Sequence, residues 1–483
     1  MNTLQAVKQL RESLTSFDAS VSHSVIGHDR PQVAEIYAPE HHAGALDPHV
    51  PLVRGARGSG KSFWAGVLGN KETLAAAAKE YPRLGLENLE VKFGFIGQEG
   101  GGSISRETID ALVPEGEENK CAMLLWRAVV MRAVQAALNP QESPPRAKQL
   151  FEKYRDPEDW EEECQRLDVL LLQKKRTALI LFDALDALAY EHDRLRKLLD
   201  ALLQVAWSMR SYQAIRLKLF LRDDQVSRLG LRFVELPKLI AGATRLYWRG
   251  TDLYGMLYAR LASYQNGQLP LDQLLKEASL PPTSKALGRG RILFNDKAAQ
   301  AQLFTRLAGQ YMGKTHKRGK TYDWPLNHLS DGHNEVTPRS FLALMIHAAK
   351  HLPPPENTVI AAEGIRHGLR EASKIRVEQL ALEFPWIRRV LAPLARLQVP
   401  CTADRIKERW AETETQQAIR KLQELQHFML PFTSSDEDDA GNELLETLKM
   451  IGVLMERDDG RYDMPDLFRV AARLLKKGGV SPV

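Results

Sequence analysis

Val50-Pro-Leu-Val53 leads through Arg54 into Gly55-Ala-Arg-Gly-Ser-Gly-Lys-Ser62, and Phe63 to Leu68 follows with helical character. An apolar strand, a glycine-rich loop and a helix thus come in that order. The loop fills the pattern G-x-x-x-x-G-K-[ST] with Gly55, Gly60, Lys61 and Ser62. Gly55, Gly58 and Gly60 let the backbone curl until its N–H groups face one point, at the positive end of the following helix. Such a point holds phosphates. Lys61 adds a full charge for the β and γ phosphates, and the Ser62 hydroxyl can ligate Mg²⁺. With Ala56, Arg57, Gly58, Ser59 and Phe63 completing the cradle, ATP and Mg²⁺ are the expected ligands of residues 55–63.

Working outward, three more apolar runs read as strands. Glu90 to Gly97 alternates and ends in the turn-rich Gln98-Glu-Gly-Gly-Gly-Ser103, whose glycines need no second ligand site. Thr177-Ala-Leu-Ile-Leu-Phe-Asp183 is continuous and ends in a carboxylate, as expected of a buried parallel strand whose tip meets a ligand crevice. Asp183 is placed to hold Mg²⁺ opposite Ser62, and Asp186, three residues on, to orient an attacking water. Arg216-Leu-Lys-Leu-Phe-Leu-Arg-Asp223 ends in Arg222, which either reads a γ-phosphate or pairs with Asp223 or Asp224. A further strand is expected at Thr244 to Trp248, with helices at Leu4 to Leu14, Ala122 to Leu138 and Thr251 to Leu261. Strand and helix alternate, so the core is α/β.

Ile26-Gly-His-Asp29, the 55–62 loop, Asp183-Ala-Leu-Asp186 and Leu221-Arg222 occur in an order that resembles the STAND and KAP-like P-loop ATPases, within the wider AAA+ group. The resemblance implies that residues 26–29 help enclose an adenine, although His28 stands where the family usually has arginine. It also implies that Ala184 stands where many AAA+ enzymes carry their glutamate base. The resemblance covers roughly residues 20–350.

Beyond that core, Gly332-His-Asn-Glu-Val-Thr-Pro-Arg-Ser340 opens a helix with Thr337 as cap and Pro338 in the first turn. Arg339 resembles the lid arginine that reaches nucleotide in AAA+ and origin-binding ATPases. Gly313 to Lys320 carries four basic side chains and no acid, and with Lys285, Arg289 and Arg291 it reads either as a solvated loop or as a nucleic-acid contact. Tyr322 and Trp324 beside it either stack on a base or anchor the loop. After Pro353-Pro-Pro355, helices are expected over Val377 to Leu397 and from Thr402 to Trp410, then an acidic linker at Asp436 to Asp439. A helix at Leu444 to Met450 and a hairpin turning at Asp458-Asp-Gly460 read as winged-helix-like.

The 483 residues exceed one core and fit about three domains, taken as 1–262, 263–352 and 353–483. The expected class is α/β, a P-loop parallel-sheet ATPase core with a helical lid and a C-terminal winged-helix-like region. No apolar stretch reads as a membrane span, and the first fifteen residues lack an export signal, so a cytoplasmic protein is expected. Cys121, Cys164 and Cys401 lie too far apart in sequence for a metal or disulfide framework, and His41, His42 and His49 read as a polar surface loop. A net charge of +5 tolerates an acidic partner without requiring one.

The function expected is an ATP-driven switch acting on a protein effector or neighbouring-gene product. The resemblance adds a bacterial conflict setting such as phage defence, and self-association is compatible with it. The alternative is a DNA-engaging ATPase like an origin-binding or transposition regulator.

Overall fold

Five strands build one sheet, the longer ones rich in Leu, Ile and Phe: β1 (Leu52–Gly55), β2 (Leu89–Phe95), β3 (Thr177–Phe182), β4 (Ile215–Arg222) and β5 (Thr244–Leu246). The structure is a computed structural model, and it describes all residues except 1, 18–24, 27–29, 190, 229, 264–267, 282–294, 427 and 483. The strands lie in the order β2-β3-β4-β1-β5, and each neighbouring pair is parallel. β3 is sealed on both faces from Ala178 to Phe182, which is why it reads as an unbroken apolar run. Parallel pairing requires crossovers, and helices Glu118–Leu138 and His192–Ser208 cover the sheet. Trp126 meets Phe182 edge to face at 5.7 Å and donates its indole N–H to the Leu198 carbonyl at 2.8 Å. Removing each of these rings from water contributes roughly 2–3 kcal/mol. The entry to β4 is fixed by the buried Asp168 carboxylate, which accepts the N–H groups of Gln213, Ala214 and Ile215.

Because all five strands point one way, their C-terminal ends share one edge. There β3, β4 and β1 stand side by side, which is where an open α/β sheet places its ligand crevice.

The chain packs as two units. One, Ser22–Leu246, holds the sheet; the other, Met1–Val21 with Tyr247–Val483, is mostly helical. In the second unit helix Thr3–Thr15, closed by a capping box between Asn2 and Gln5, packs on helices Gly250–Ser263, Gln268–Glu277 and Pro338–Lys350. Arg11 ties it to the carbonyls of Pro355, Thr358 and Val359. Helix Pro338–Lys350 lies along Ala362–Glu383, so close that a Cβ on Gly368 would collide with the Leu344 carbonyl oxygen. The expected cuts at 262/263 and 352/353 therefore do not coincide with the division between the units.

Several expectations need correction. The helix read over Val377 to Leu397 is instead Ala362–Glu383, then Ile387–Leu391; Pro385 lacks an N–H and bars Phe384 from the helical region, which forces the break. The acidic Asp436 to Asp439 is no linker. Asp436 caps helix Glu437–Met450 by accepting the N–H groups of Asp438 and Asp439, and the acids sit in a first turn that favours negative charge. His42 is not on a surface loop: it is fully buried and takes the Trp64 indole N–H on Nδ1 at 3.3 Å. Helix Glu118–Leu138 is long and apolar enough to cross a bilayer, but it is the buried core helix of the sheet unit. At the C-terminal end, Met455–Glu456 and Tyr462–Asp463 pair antiparallel as a short hairpin after helix Glu437–Met450.

Candidate functional site

Register places the phosphate loop. Gly55, the last residue of β1, pairs with Arg222 at the tip of β4 on one side and with Leu246 of β5 on the other. A Cβ at 55 would fall 2.5 Å from the Ser59 hydroxyl and 3.1 Å from the Leu246 carbonyl oxygen, so the loop closes only over a glycine there. The Ser59 N–H then donates to the Ala56 carbonyl at 3.2 Å, closing a turn through Arg57 and Gly58. Gly58, read from the sequence as one more part of the phosphate cradle, is the third residue of that turn. Its φ of +83° is what the turn demands. At Gly60 nothing crowds a side chain, but φ of +106° selects glycine. Helix Lys61–Gly69 follows with no side-chain cap. Its first intrahelical bond runs from Trp64 N–H to the Gly60 carbonyl at 3.0 Å. The amides of Lys61, Ser62 and Phe63 precede that bond, at the positive end of the helix.

Lys61 folds back over the loop and donates to the Gly55 and Ala56 carbonyls, each at 2.9 Å. The residue's surface is partly open while its ammonium lies inside the loop. Burial pushes its pKa down to about 8; Arg222 adds to the depression, and Asp183, Asp224 and Asp223 oppose it. Asp183, directly after β3, donates its N–H to the Phe95 carbonyl at 2.9 Å and is buried. Burial raises its carboxyl pKa, against the Ser62 hydroxyl that hydrogen-bonds to it, the Ala184 amide and the Lys61 charge. Two hard oxygen ligands, one of them a desolvated carboxylate, are a donor set that fits Mg²⁺.

Ala184 turns the chain away from Asp183 with φ of +52°, a left-handed conformation that costs a non-glycine residue about 1 kcal/mol. Asp186 follows in a short 3₁₀ turn, half exposed. Arg222 grips Asp224 with two bonds, Nε at 3.1 Å and Nη2 at 2.8 Å, and reaches Asp186 at 3.5 Å. Its own N–H is taken by the side chain of Gln225, a buried residue that no motif marked. Asp223 pairs instead with Arg245 at 3.1 Å, with Arg54 at 4.0 Å.

The fold thus brings Gly55 to Phe63, Asp183, Asp186 and Arg222 to one edge of the sheet. Phe63 packs edge-on against Trp64. Arg339 belongs to the helical unit, in the first turn of Pro338–Lys350, where Thr337 accepts the Ser340 N–H at 3.3 Å. Gly27, His28, Asp29, Lys285, Arg289 and Arg291 lie outside the described residues. Tyr322 is an anchor: it is buried, stacked on Tyr254 at 4.0 Å and bonded to Gln300. Among the described residues no cluster of His, Cys, Asp and Glu could hold a metal ion in the manner of a zinc site, and the three cysteines are free. Burial lifts the Cys164 thiol to about 12, which makes it inert.

Compared with protein-family models and with curated proteins, the chain matches none. Among solved structures it is similar to the Aeropyrum pernix ORC2 protein, determined as ADPNP–ADP complexes, with 13% identity over 90% of this chain and 88% of that one and a TM-score of 0.31.

Proposed function

We propose that the protein binds ATP with Mg²⁺ at the 55–63 loop and hydrolyses it as a molecular switch. The observation that carries this reading is the single edge on which an uncapped helix start, the Lys61 ammonium and the bonded pair Ser62 and Asp183 converge. The amides and Lys61 take the phosphates; Ser62 and Asp183 are the residues that would hold Mg²⁺, which supplies charge neutralisation of the phosphate oxygens. Asp186 is the carboxylate available to orient water, and Arg222 the cation available to the terminal phosphate once it leaves Asp224. For Arg339, in the helical unit, the role of a nucleotide-reporting arginine is proposed from the AAA+ resemblance alone.

The switch is proposed to act on a protein partner through the C-terminal hairpin, which we read as the wing of a winged-helix-like region. Asp458 and Asp459 are exposed at its turn, where Arg461 pairs with Asp459 at 2.6 Å; the charge left on Asp458 favours a protein over a nucleic-acid backbone. Lys61→Ala is the test: isothermal titration should show Mg-ATP affinity reduced at least about 100-fold, on the scale of a lost buried charge contact, with an unchanged circular dichroism spectrum. Equal affinity in parent and variant would remove the site.

A further inference from the structure

The helical unit contains an open cavity of about 450 Å³ that the ATP reading leaves unused. That volume lies within the range of small-molecule sites. Lys317 and Arg318 enter it from the basic loop, and Arg366 and Arg370 from one face of helix Ala362–Glu383. Among the described residues only one carboxylate answers them at close range. The exposed Glu363 pairs with Arg366 at 2.8 Å and stands 3.9 Å from Arg370; among the described residues no acid lies within ion-pair distance of Lys317 or Arg318. Like charges gathered from two segments repel one another until an anion joins them.

Two further walls define what that anion carries. Trp324, partly exposed, packs against His328 with ring centroids 4.0 Å apart and planes tilted by 31°, and both rings line the cavity. His328 is held by a bond from Nδ1 to Asp466 at 2.5 Å, which fixes the ring plane. The backbone of Gly478 and Gly479 also lines the cavity, pinned where the fully buried Arg469 donates to the Val480 carbonyl at 2.8 Å. A Cβ on Gly479 would meet that guanidinium at 3.0 Å. A fixed aromatic pair, a wall of bare backbone and a concentration of cations is the chemistry that receives a phosphate attached to a flat ring.

We propose that this cavity is a second ligand site, which takes a nucleotide unit by its phosphate on Arg318 and Arg370 and by its base on Trp324. It involves none of the residues of the ATP reading, so either can fail alone. The unit can come from a free mononucleotide or from the end of a single strand.

The test uses the full chain carrying Lys61→Ala, so that the phosphate loop is silent, and titrates AMP, a 5′-phosphorylated pentadeoxynucleotide and pyrophosphate. AMP or the oligonucleotide should bind, and whichever binds more tightly identifies the source. Arg318→Ala and Arg370→Gln should each weaken binding at least about tenfold, with partial recovery in Arg318→Lys. Trp324→Leu should weaken the nucleotide and leave pyrophosphate unchanged, a split that general loosening of the fold would not produce. The proposal is overturned if neither nucleotide binds at millimolar concentration, if the arginine variants bind as the parent does, or if Trp324→Leu moves both ligands equally.

Discussion

Arg222 and Asp224 form a two-bond fork at the C-terminal tip of β4, where Arg222 stands in register with Gly55 of the phosphate loop. The sequence left Arg222 open between a phosphate reader and an ion-pair member; the structure shows the pair. The pair does not end the other role, because a triphosphate offers the same fork a more highly charged partner. Asp224→Asn weakens the clamp while keeping its shape. The ratio of ATP to ADP affinity should rise about three- to tenfold in that variant, roughly the weight of one charge-assisted bond. A ratio unmoved, with only a lower melting temperature, would leave Arg222 as a structural residue.

Lys61 gives the binding step a pH dependence with a fixed sign. In the free protein burial holds its pKa at about 8, and phosphate requires the charged form. Below that value the ammonium is present and affinity should be level. Above it the free loop has lost the proton, and binding must recapture one, so affinity falls as pH rises, approaching tenfold per unit. Calorimetry at pH 8.5 in two buffers of different ionisation heat should record proton uptake. No uptake at that pH would mean that Lys61 does not meet the phosphate.

The two carboxylates should separate by role. Asp183, buried and bonded to Ser62, is on the proposed function the carboxylate that would hold Mg²⁺, so Asp183→Ala should abolish Mg²⁺-dependent hydrolysis. Asp186, half exposed beside Arg222, should act on water if it acts on the reaction at all. Asp186→Asn should bind ATP as the parent does and turn it over about 100-fold more slowly, the scale of a lost general base. Parent-rate hydrolysis in Asp186→Asn would confine that residue to its contact with Arg222.

The strands, and the placing of the candidate site residues on their tips, were legible because each depends on a local pattern. The 55–62 loop, the run ending at Asp183 and the one ending at Arg222 each carry strand and ligand residue in one short segment, and parallel pairing then gathers their ends. Within the loop the pattern marked its glycines alike, yet Gly55 answers to a close approach while Gly58 and Gly60 answer to positive φ, a division only the folded backbone reveals. What sequence reading missed depends on partners distant in the chain. Asp168 caps the start of β4 from 46 residues before Ala214, and the buried His42 takes its hydrogen bond from Trp64, 22 residues on. Gln225, which fixes the Arg222 backbone, is an ordinary polar residue until the strand end curls over it. The acids at 436–439 did carry a local signal, an Asp followed by acids ahead of an apolar-periodic stretch, which is the mark of a helix start.

Lys218 is a strand residue that no motif explains. It lies in the middle of β4, fully buried, with Nζ donating to the Val50 carbonyl at 2.6 Å and to that of Gly44 at 3.3 Å. Burial pushes its pKa down to about 7 from an ordinary 10.5, with Asp47 opposing the shift. Between those two values the unfolded chain holds a proton that the folded one has released, so folding gains stability as pH rises, with a slope approaching about 1.4 kcal/mol per unit. Below about 7 both states are protonated, the slope vanishes and the cost of burying the ammonium is felt in full. Lys218→Met removes the titration and keeps the chain length, at a pH-independent cost of about 1–3 kcal/mol for the carbonyls left without a donor. Urea unfolding midpoints from pH 6 to 9.5, followed by circular dichroism, should therefore show the variant gaining on the parent at the acid end and losing ground steadily above pH 7. Parallel curves across that range would mean that Lys218 stays charged inside the sheet unit, its ammonium held by the two carbonyls alone.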